Sequence, residues 1–420
     1  MSRKQPAFPL LPKGFAYRLD LSRAATPRLL KQRPVHRWFY FPHSYSPELV
    51  EAILDEWDLP LGSHLMDPFA GAGTTLLVAK EQGYDGLGLD LSPLSILVSN
   101  VKANPPNPAT VWEALPGVLD AARSNMEQPA EVSDRLRRAL TEKEYTRFWH
   151  LRRAIQQADA AVQDLMLVGL IAILPKFSRA VADGGWFRWV EKPEQADLIL
   201  LAFRSQVEQM AHEITEDESE RVASVMAIRH DARSTHLLSL TFHGLITSPP
   251  YPNRHDYSRV FQIELLILGQ GEEGISRLRH DSLRSHVEAY APEETPTGYR
   301  IPAMLQATLN EMPANVDHRI PRMLKGYFED MYLVLHSAKK VMHSRGRLAF
   351  VVGNVRYSGV LIPVDEILAD VGGMAGLHWT GTWVIRLRGN SAQQMGRYGR
   401  VPSRESVVFF ESPPESWDRC

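Results

Sequence analysis

The spacing of apolar positions predicts helices and strands in a definite order. In residues 46–54, Leu, Val and Ile recur at helical spacing behind a Ser-Pro pair, which is typical of a helix start. Residues 64–69 form a short apolar strand that leads into glycines, residues 74–82 have a helical period, and residues 84–90 form a second strand. This order predicts a βαβ unit.

The period is helical over residues 109–220, where Thr141 and Glu144 have the spacing of a capping box and residues 165–174 form an apolar helix. Strand patterns then return at residues 222–229, 245–247, 347–352, 382–387 and 406–410. The order of all these elements predicts an α/β fold, namely a doubly wound, Rossmann-like sheet with a mostly helical insert.

Three regions follow from this pattern. Residues 1–33, rich in Pro, Arg and Lys, are predicted to be an arm lying over the body, with order beginning near Pro34. Residues 34–108 and 221–420 would form the catalytic domain, and residues 109–220 the helical insert. The insert is a candidate for the part that recognises the substrate, and residues 252–320 are an alternative that could share this duty.

Composition restricts the class of protein. The formal net charge of -2 over 420 residues excludes a globally basic nucleic-acid coat, so contacts with nucleic acid must come from local basic patches. The only cysteine is Cys420, which excludes a disulfide framework and fits a reducing cytoplasm. We expect a cytoplasmic protein without a signal peptide or membrane span. The histidines lack metal-ligand spacing, and no metal is predicted.

A glycine-rich loop between the first strand and helix predicts a ligand site. Glycines let a ligand approach the backbone, and the helix amino terminus offers free N–H groups. Asp90, 19 positions after Gly71, ends the next strand, where a carboxylate can accept from both ribose hydroxyls of a nucleoside. The alternative is a tight turn with a helix-capping Asp. The loop residues concerned are Asp67, Pro68, Phe69, Gly71, Gly73, Thr74 and Thr75.

A second unusual segment follows the strand of residues 245–247. It reads Ser248, Pro249, Pro250 and Tyr251, at the carboxyl end of a strand, where open α/β sheets place their chemistry. The two prolines stiffen the backbone and lack N–H donors, so that carbonyls are free to accept hydrogen bonds. The alternative is a proline-stiffened turn in which Ser248 caps a helix.

These two segments resemble the motifs of the DNA amino-methyltransferases. In that family the cofactor loop reads D-P-F-x-G-x-G-T-T, and residues 36–49 are similar to the segment that precedes this loop in permuted members. The resemblance implies S-adenosylmethionine as cofactor and Asp231 as the partner of its adenine amine. In the family, the tetrapeptide S-P-P-Y accompanies cytosine-N4 methylation. The adenine-N6 enzymes more often have Asp or Asn at the first position of this tetrapeptide.

An exocyclic base amine is a poor nucleophile, so its site must accept its hydrogens and hold the nitrogen in line with the methyl group. We expect Ser248 and the Pro249 carbonyl to accept from the amine, and Tyr251 to stack on a base flipped out of DNA. Methylation at cytosine C5 would need a thiolate, and Cys420 is far from either motif.

DNA is the predicted partner, with a restriction or defence nuclease as a possible second. The residues expected to contact it are Arg254, Arg388, Gln393, Arg397, Arg400 and Arg404, a mix suited to backbone and base-edge contacts. Alternatives are an adenine-N6 DNA methyltransferase, an RNA base-amine methyltransferase and a non-catalytic regulator that binds cofactor and nucleic acid.

Overall fold

The computed structural model describes residues 10–129, 132–183, 186–214, 223–290, 295–388 and 402–414. Within these ranges the twelve strands are β1 (Phe15–Tyr17), β2 (His64–Asp67), β3 (Asp85–Asp90), β4 (Ala180–Asp183), β5 (Trp186–Trp189), β6 (Val225–Arg229), β7 (Phe242–Thr247), β8 (Met342–Gly353), β9 (Val355–Tyr357), β10 (Val360–Ile362), β11 (His378–Arg388) and β12 (Ser403–Glu411).

The fourteen α-helices of the same ranges are α1 (Pro47–Trp57), α2 (Thr74–Glu81), α3 (Pro93–Ala103), α4 (Pro108–Ser124), α5 (Asp134–Ala139), α6 (Glu142–Gln157), α7 (Ala160–Phe177), α8 (Ile199–Glu213), α9 (Tyr257–Val260), α10 (Gln262–Ile267), α11 (Glu272–Asp281), α12 (Ala303–Asn310), α13 (Arg319–Lys339) and α14 (Val364–Met374). Short 3-10 helices connect several of them.

Eight strands form one mixed sheet in the order β1-β11-β12-β8-β7-β2-β3-β6. The strands β6, β3, β2, β7 and β8 pair in parallel, whereas β12 is antiparallel to both of its neighbours. The chain runs outward from β2 through β3 to β6 and then returns to β7 on the other side of β2. The boundary between β2 and β7 is therefore the topological switch point, where open α/β sheets bind ligands.

Both faces of this sheet are covered, as the alternation along β8 illustrates. Leu348, Phe350 and Val352 pack with the helices α13 and α14, whereas Ala349 and Val351 pack with α1 on the opposite face. A sheet with helices on both faces confirms the predicted α/β, doubly wound fold class.

The predicted strands and helices are present, and the strands at the carboxyl end are longer than expected. The capping box of Thr141 and Glu144 is confirmed, since both of its hydrogen bonds form at the start of α6. Order begins before Pro34, because β1 pairs in parallel with β11 and adds the eighth strand to the sheet. The sequence reading missed β1 because a three-residue edge strand is too short for a period to be recognised.

Between α3 and β6 the chain forms α4 to α8 and the antiparallel hairpin β4–β5, and the helical period did not predict this hairpin. The core of this region includes Leu165, Ile171 and Phe203, and it continues into α3 and the segment around Trp38. The helix α7 is long and apolar enough to cross a membrane. Its apolar character has a simpler origin, because it packs among α3, α6 and α8 as the central helix of this core.

Candidate active site

The two predicted loops lie side by side, because β2 and β7 are parallel neighbours and their carboxyl ends share one edge of the sheet. Asp67, at the end of β2, joins them. Its Oδ1 accepts from the Thr247 hydroxyl at 2.6 Å and from the Phe69 amide at 3.0 Å. Burial raises the pKa of the Asp67 carboxyl to about 6, although these hydrogen bonds act in the opposite direction.

The glycine loop has a backbone that requires its glycines. Gly71 and Gly73 have φ of 50° and 75°, in the left-handed region that favours glycine. At Gly73 a Cβ would also come within 2.9 Å of the Ser99 Cα. At Gly71 the same atom would find nothing closer than 3.8 Å, so the space over this residue is open to a ligand.

Asp90 holds this loop in place from the end of β3. Its Oδ2 accepts from the Gly71 amide at 3.0 Å and its Oδ1 accepts from the Ser92 amide at 2.8 Å. Burial raises the pKa of Asp90. Each carboxylate oxygen can accept a further hydrogen bond, so the predicted contact with ribose hydroxyls is compatible with this anchoring role.

A buried lysine fixes the loop from below. Lys102 on α3 is 2% exposed, and its Nζ donates to the Ala72 carbonyl at 3.1 Å and to the Phe39 carbonyl at 3.4 Å. Burial lowers the pKa of this amine to about 7. Lys102 thereby ties the glycine loop to the segment that precedes α1.

A cavity of about 1130 Å³, counting its open mouth, lies over the switch point and is lined by both loops. Gly73, Thr75, Pro249 and Tyr251 do not line it. Thr75 is instead buried, with its hydroxyl 2.5 Å from the Tyr45 hydroxyl. The predicted site residues that do line the cavity are Asp67, Pro68, Phe69, Gly71, Thr74, Asp90, Asp231, Ser248 and Pro250.

Asp231 lines the far end of the cavity, beyond β6, but its carboxylate is already engaged. Both oxygens accept from the Arg233 guanidinium, at distances between 2.7 and 3.1 Å. A contact between Asp231 and the cofactor's adenine amine, which the resemblance implies, would have to share these oxygens with Arg233.

Tyr251 points away from the cavity. Its hydroxyl donates to Glu405 Oε1 at 3.2 Å, and the Arg388 guanidinium stands 5.9 Å from the centre of its ring. The ring also lies against Gly353. This placement differs from the expectation that the ring is free to stack on a flipped base.

One side of the cavity comes from the segment after the tetrapeptide, part of the residues 252–320 predicted above as an alternative for substrate recognition, and the sequence analysis did not single out Phe261 there. The Phe41 and Phe261 rings lie 4.4 Å apart between centres, and Tyr257 packs against the same Phe41 ring. Aromatic residues at positions 257 and 261, one helical turn apart, were the available signal. Residues that line this part of the cavity are Tyr257, Ser258, Phe261, Leu283, Ser285 and His286.

The predicted nucleic-acid contacts have mixed outcomes. Gln393, Arg397 and Arg400 lie outside the described residues. Arg254 is half-buried with φ of 69°, and its amide donates to the Ser285 carbonyl at 3.1 Å. Arg388 pairs with Glu405 at 3.8 Å.

The structure gives Arg404 carboxylate partners that the prediction of a DNA contact did not include. Its guanidinium donates to both oxygens of Asp365, at 2.9 and 3.0 Å, and to Glu366. Only 18% of the side chain is exposed. The charge of Arg404 is therefore largely compensated within the fold.

Within the ranges that the structure describes, no group of three or more His, Cys, Asp or Glu side chains is arranged to hold a metal ion. The cavity is instead a pocket of aromatic rings, backbone amides and carboxylates, the groups that bind a nucleoside.

The sequence is similar over most of its length to known methyltransferases. It is 26% identical over 450 residues to the type II methyltransferase M.BsoBI of Geobacillus stearothermophilus, which covers 91% of this chain and 86% of the relative. It is 27% identical over 424 residues to M.AvaI of a Nostoc species, with 91% and 87% covered. A shorter match, 33% identical over 89 residues, links it to M.MjaII of Methanocaldococcus jannaschii and covers 21% of this chain and 17% of the relative. No family model matches the sequence.

Two solved structures align weakly with the chain. One is TrmN from Thermus thermophilus, at 12% identity and a TM-score of 0.31, covering 92% of this chain and 53% of that chain. The other is the rRNA methyltransferase aviRa from Streptomyces viridochromogenes, also at 12% identity and a TM-score of 0.31, with 94% of both chains covered.

Proposed function

We propose, from the premise that this chain is an S-adenosylmethionine-dependent methyltransferase similar to the type II enzymes, that it methylates the exocyclic N4 amine of cytosine in DNA. One observation carries the proposal. The Gly71 turn and Ser248 lie at adjacent strand ends and line one cavity, so a cofactor on the first and a base on the second would meet.

The cofactor is S-adenosylmethionine, and the residues present fit it. Asp90 supplies a buried carboxylate for the ribose hydroxyls, while the open space over Gly71 lets the ligand approach the backbone. Phe41 and Phe69 supply apolar surface in the same cavity. A site of glycine backbone, aromatic rings and a strand-end carboxylate is the donor and acceptor set that a nucleoside needs.

The target side of the cavity supplies acceptors. When bound, S-adenosylmethionine would supply an electrophilic sulfonium methyl group to the amine nitrogen. The Ser248 hydroxyl, which lines the cavity, would accept a hydrogen bond from the amine and hold its nitrogen in line, whereas the Pro249 carbonyl, predicted as a second acceptor, does not line the cavity. The two prolines stiffen the backbone beside Ser248, because their φ angles are fixed.

Two considerations favour cytosine N4 over other positions. The first residue of the tetrapeptide is Ser248, and serine is also the first residue of this motif in the cytosine-N4 enzymes. Asp or Asn at this position would favour methylation of adenine N6. Carbon methylation at C5 needs a thiolate nucleophile, and the only cysteine is the last residue of the sequence. Action on DNA, a cytoplasmic location and a nuclease partner belong to this proposal.

The test is methyl transfer from radiolabelled cofactor to unmodified DNA and, separately, to RNA, followed by digestion to nucleosides and chromatography. Label in N4-methylcytosine from DNA supports the proposal. Label in N6-methyladenine would move the target to adenine, and label in RNA alone would make the protein an RNA enzyme. Cofactor binding without transfer to either would favour the non-catalytic regulator.

A further inference from the structure

The segment of residues 35–41 precedes α1 and forms part of the cavity wall at its carboxyl end. Phe41 lines the cavity, and its ring carbon Cε1 lies 3.9 Å from the position that a Cβ on Gly71 would take. The same ring lies 4.4 Å from the Phe261 ring, measured between centres. The 35–41 segment therefore supplies an aromatic wall of the cofactor site next to the glycine loop.

The amino-terminal half of this segment is bound by one carboxylate from the helical insert. Glu213 is the last residue of α8, and its Oε2 accepts from the Val35 amide and from the Trp38 indole Nε1, each at 3.0 Å. Its Oε1 accepts from the Arg37 guanidinium at 2.6 and 2.9 Å. One side chain thus binds three residues of the 35–41 segment.

Glu213 is a shielded and ionised carboxylate. Only 8% of its side chain is exposed. Burial would raise the pKa of Glu213, but hydrogen bonds from Arg37, Gln209 and the Val35 amide outweigh burial and lower this pKa below its ordinary value. The carboxylate is therefore charged at neutral pH, and hydrogen bonds to a charged acceptor are stronger than those between neutral groups.

The backbone at Val35 depends on such support. Val35 has φ of 59°, a conformation that a β-branched side chain rarely adopts. A residue in a strained conformation keeps it only while the surrounding contacts hold it there. The Val35 amide is one of the groups that Glu213 binds, so we expect the segment to relax when Glu213 is changed.

The rest of the segment is short and tightly packed. Trp38 is 1% exposed, and the Phe39 carbonyl accepts from Lys102 Nζ. Two residues separate Trp38 from Phe41. A displacement at the start of the segment therefore has little chain in which to be absorbed before it reaches the Phe41 ring.

We propose that Glu213 is a positioning residue which, through the 35–41 segment, keeps the Phe41 ring in place as a wall of the S-adenosylmethionine site. The inference goes beyond the proposed function, because it concerns the cofactor and holds whichever base or nucleic acid is methylated. It also gives the helical insert a role in cofactor binding, in addition to its predicted role in substrate recognition.

The test measures the affinity for S-adenosylmethionine by calorimetry, without nucleic acid, in Glu213→Gln, Phe41→Ala and the double variant. Glu213→Gln keeps the size of the side chain and removes its charge, and we expect affinity to fall by about 5- to 20-fold. Phe41→Ala removes the wall itself, with an expected loss of about 10- to 100-fold. The double variant should bind about as weakly as Phe41→Ala, because both changes act through the same ring.

Two comparisons separate positioning from a general loss of structure. Glu208→Gln, five positions earlier on α8, removes the partner of Arg204 on the same helix and should bind the cofactor like the parent. In Glu213→Gln the KM for the cofactor should rise, while kcat at saturating cofactor stays within about twofold of the parent. A merely unstable protein would instead lose kcat as its active fraction fell.

A second variant covers the case in which Glu213→Gln does not fold in thermal melts. Arg37→Gln is a change at the protein surface that removes two of the hydrogen bonds to Glu213. It should weaken cofactor binding in the same direction by about 2- to 5-fold. In that case Arg37→Gln decides the question.

Parent-like cofactor affinity in the folded Glu213→Gln protein, or in Arg37→Gln where that variant decides, would overturn the inference. Losses of affinity that multiply in the double variant would also overturn it, because the two residues would then act independently. None of these results affects the proposed function, which concerns the acceptor of the methyl group. A parent that transfers no methyl group to any nucleic acid would overturn the proposed function and leave this inference standing.

Discussion

The cofactor side and the target side of the cavity are built in different ways. On the cofactor side, Asp67, Gly71 and Asp90 lie within one βαβ unit and act largely through backbone amides. On the target side, Tyr251 contacts Gly353 and Glu405, which are far away in the sequence and come together because β7, β8 and β12 are consecutive in the sheet.

This difference has a functional meaning. A cofactor site made of backbone and one carboxylate is insensitive to most side-chain changes, but it depends on loop geometry. A target site built on the Ser248 hydroxyl depends on a single side-chain group. Variants on the first side should therefore affect binding of the cofactor, and variants on the second should affect turnover.

Asp90→Ala should have the largest effect of these variants, and the affected quantity should be cofactor affinity. It removes the acceptor for the ribose and also releases the Gly71 amide, so we expect cofactor affinity to fall by about 10²- to 10⁴-fold. Calorimetry measures this loss. Asp55→Ala, an exposed change on α1, serves as the control. Unchanged affinity in Asp90→Ala would mean that the glycine loop is not the cofactor site.

Ser248→Ala should affect only the target side of the cavity, and therefore turnover rather than cofactor binding. Loss of one positioned hydrogen-bonding group lowers kcat by about 10²- to 10³-fold, while cofactor affinity should stay within about twofold of the parent. Single-turnover methylation with cofactor calorimetry on the same sample gives both quantities. Equal rates in variant and parent would remove Ser248 from catalysis and the contrast between the two sides with it.

Gly73→Ala tests whether loop geometry alone governs the cofactor side. A side chain at φ of 75° is strained, and its Cβ would meet the Ser99 Cα at 2.9 Å. We expect a cost of about 1–3 kcal/mol, seen as a lower melting temperature and roughly tenfold weaker cofactor binding. Gly373→Ala, on α14 with open space around the added atom, should resemble the parent. A fully active Gly73→Ala would show that the loop can relax.

Lys102→Met should change cofactor affinity least of these variants, and it tests the cofactor side through the pH dependence of stability. The folded-state pKa of Lys102 is lowered to about 7 from 10.5, so the unfolded chain holds a proton that the folded chain releases. The free energy of unfolding of the parent should therefore rise between pH 7 and 10.5 by about 1 kcal/mol per pH unit from this group. Denaturant titrations of Lys102→Met should lack that increment.

The control for this pH effect is Lys143→Met, since the Lys143 side chain is 77% exposed. It should keep the same rise in unfolding free energy as the parent. An identical pH dependence in Lys102→Met and the parent would contradict the expectation that burial shifts the Lys102 pKa.

The features that could be predicted from the sequence are those that depend on residues close together in the chain. The Gly71 turn, the Asp90 position and the sheet class could be predicted because each depends on a few adjacent residues or on a regular period. β1 was missed because its three residues pair with β11, which is far along the chain. Pairing between distant segments leaves no mark in a single sequence.

Side-chain partners were the main source of error. Arg404 was expected to contact DNA because it lies among other arginines, but its charge is neutralised by Asp365 and Glu366 on α14. Glu405 carried no signal at all, since nothing near it in sequence connects it with Tyr251. Which arginine is free and which is paired depends on how β12 packs against α14, and this is decided by the tertiary fold.

The shared core of the helical region has a consequence for protein engineering. Residues of α4 to α8 pack in one cluster with Val98 on α3 and with Ile263 on α10, both outside the stretch between α4 and β6. If that stretch were exchanged for the equivalent part of another enzyme, the side chains of Val98 and Ile263 would lose the residues that they now pack against. A chimaera that exchanges this stretch would therefore have to include α3 and α10 as well, or redesign the contact between the exchanged part and the rest of the protein.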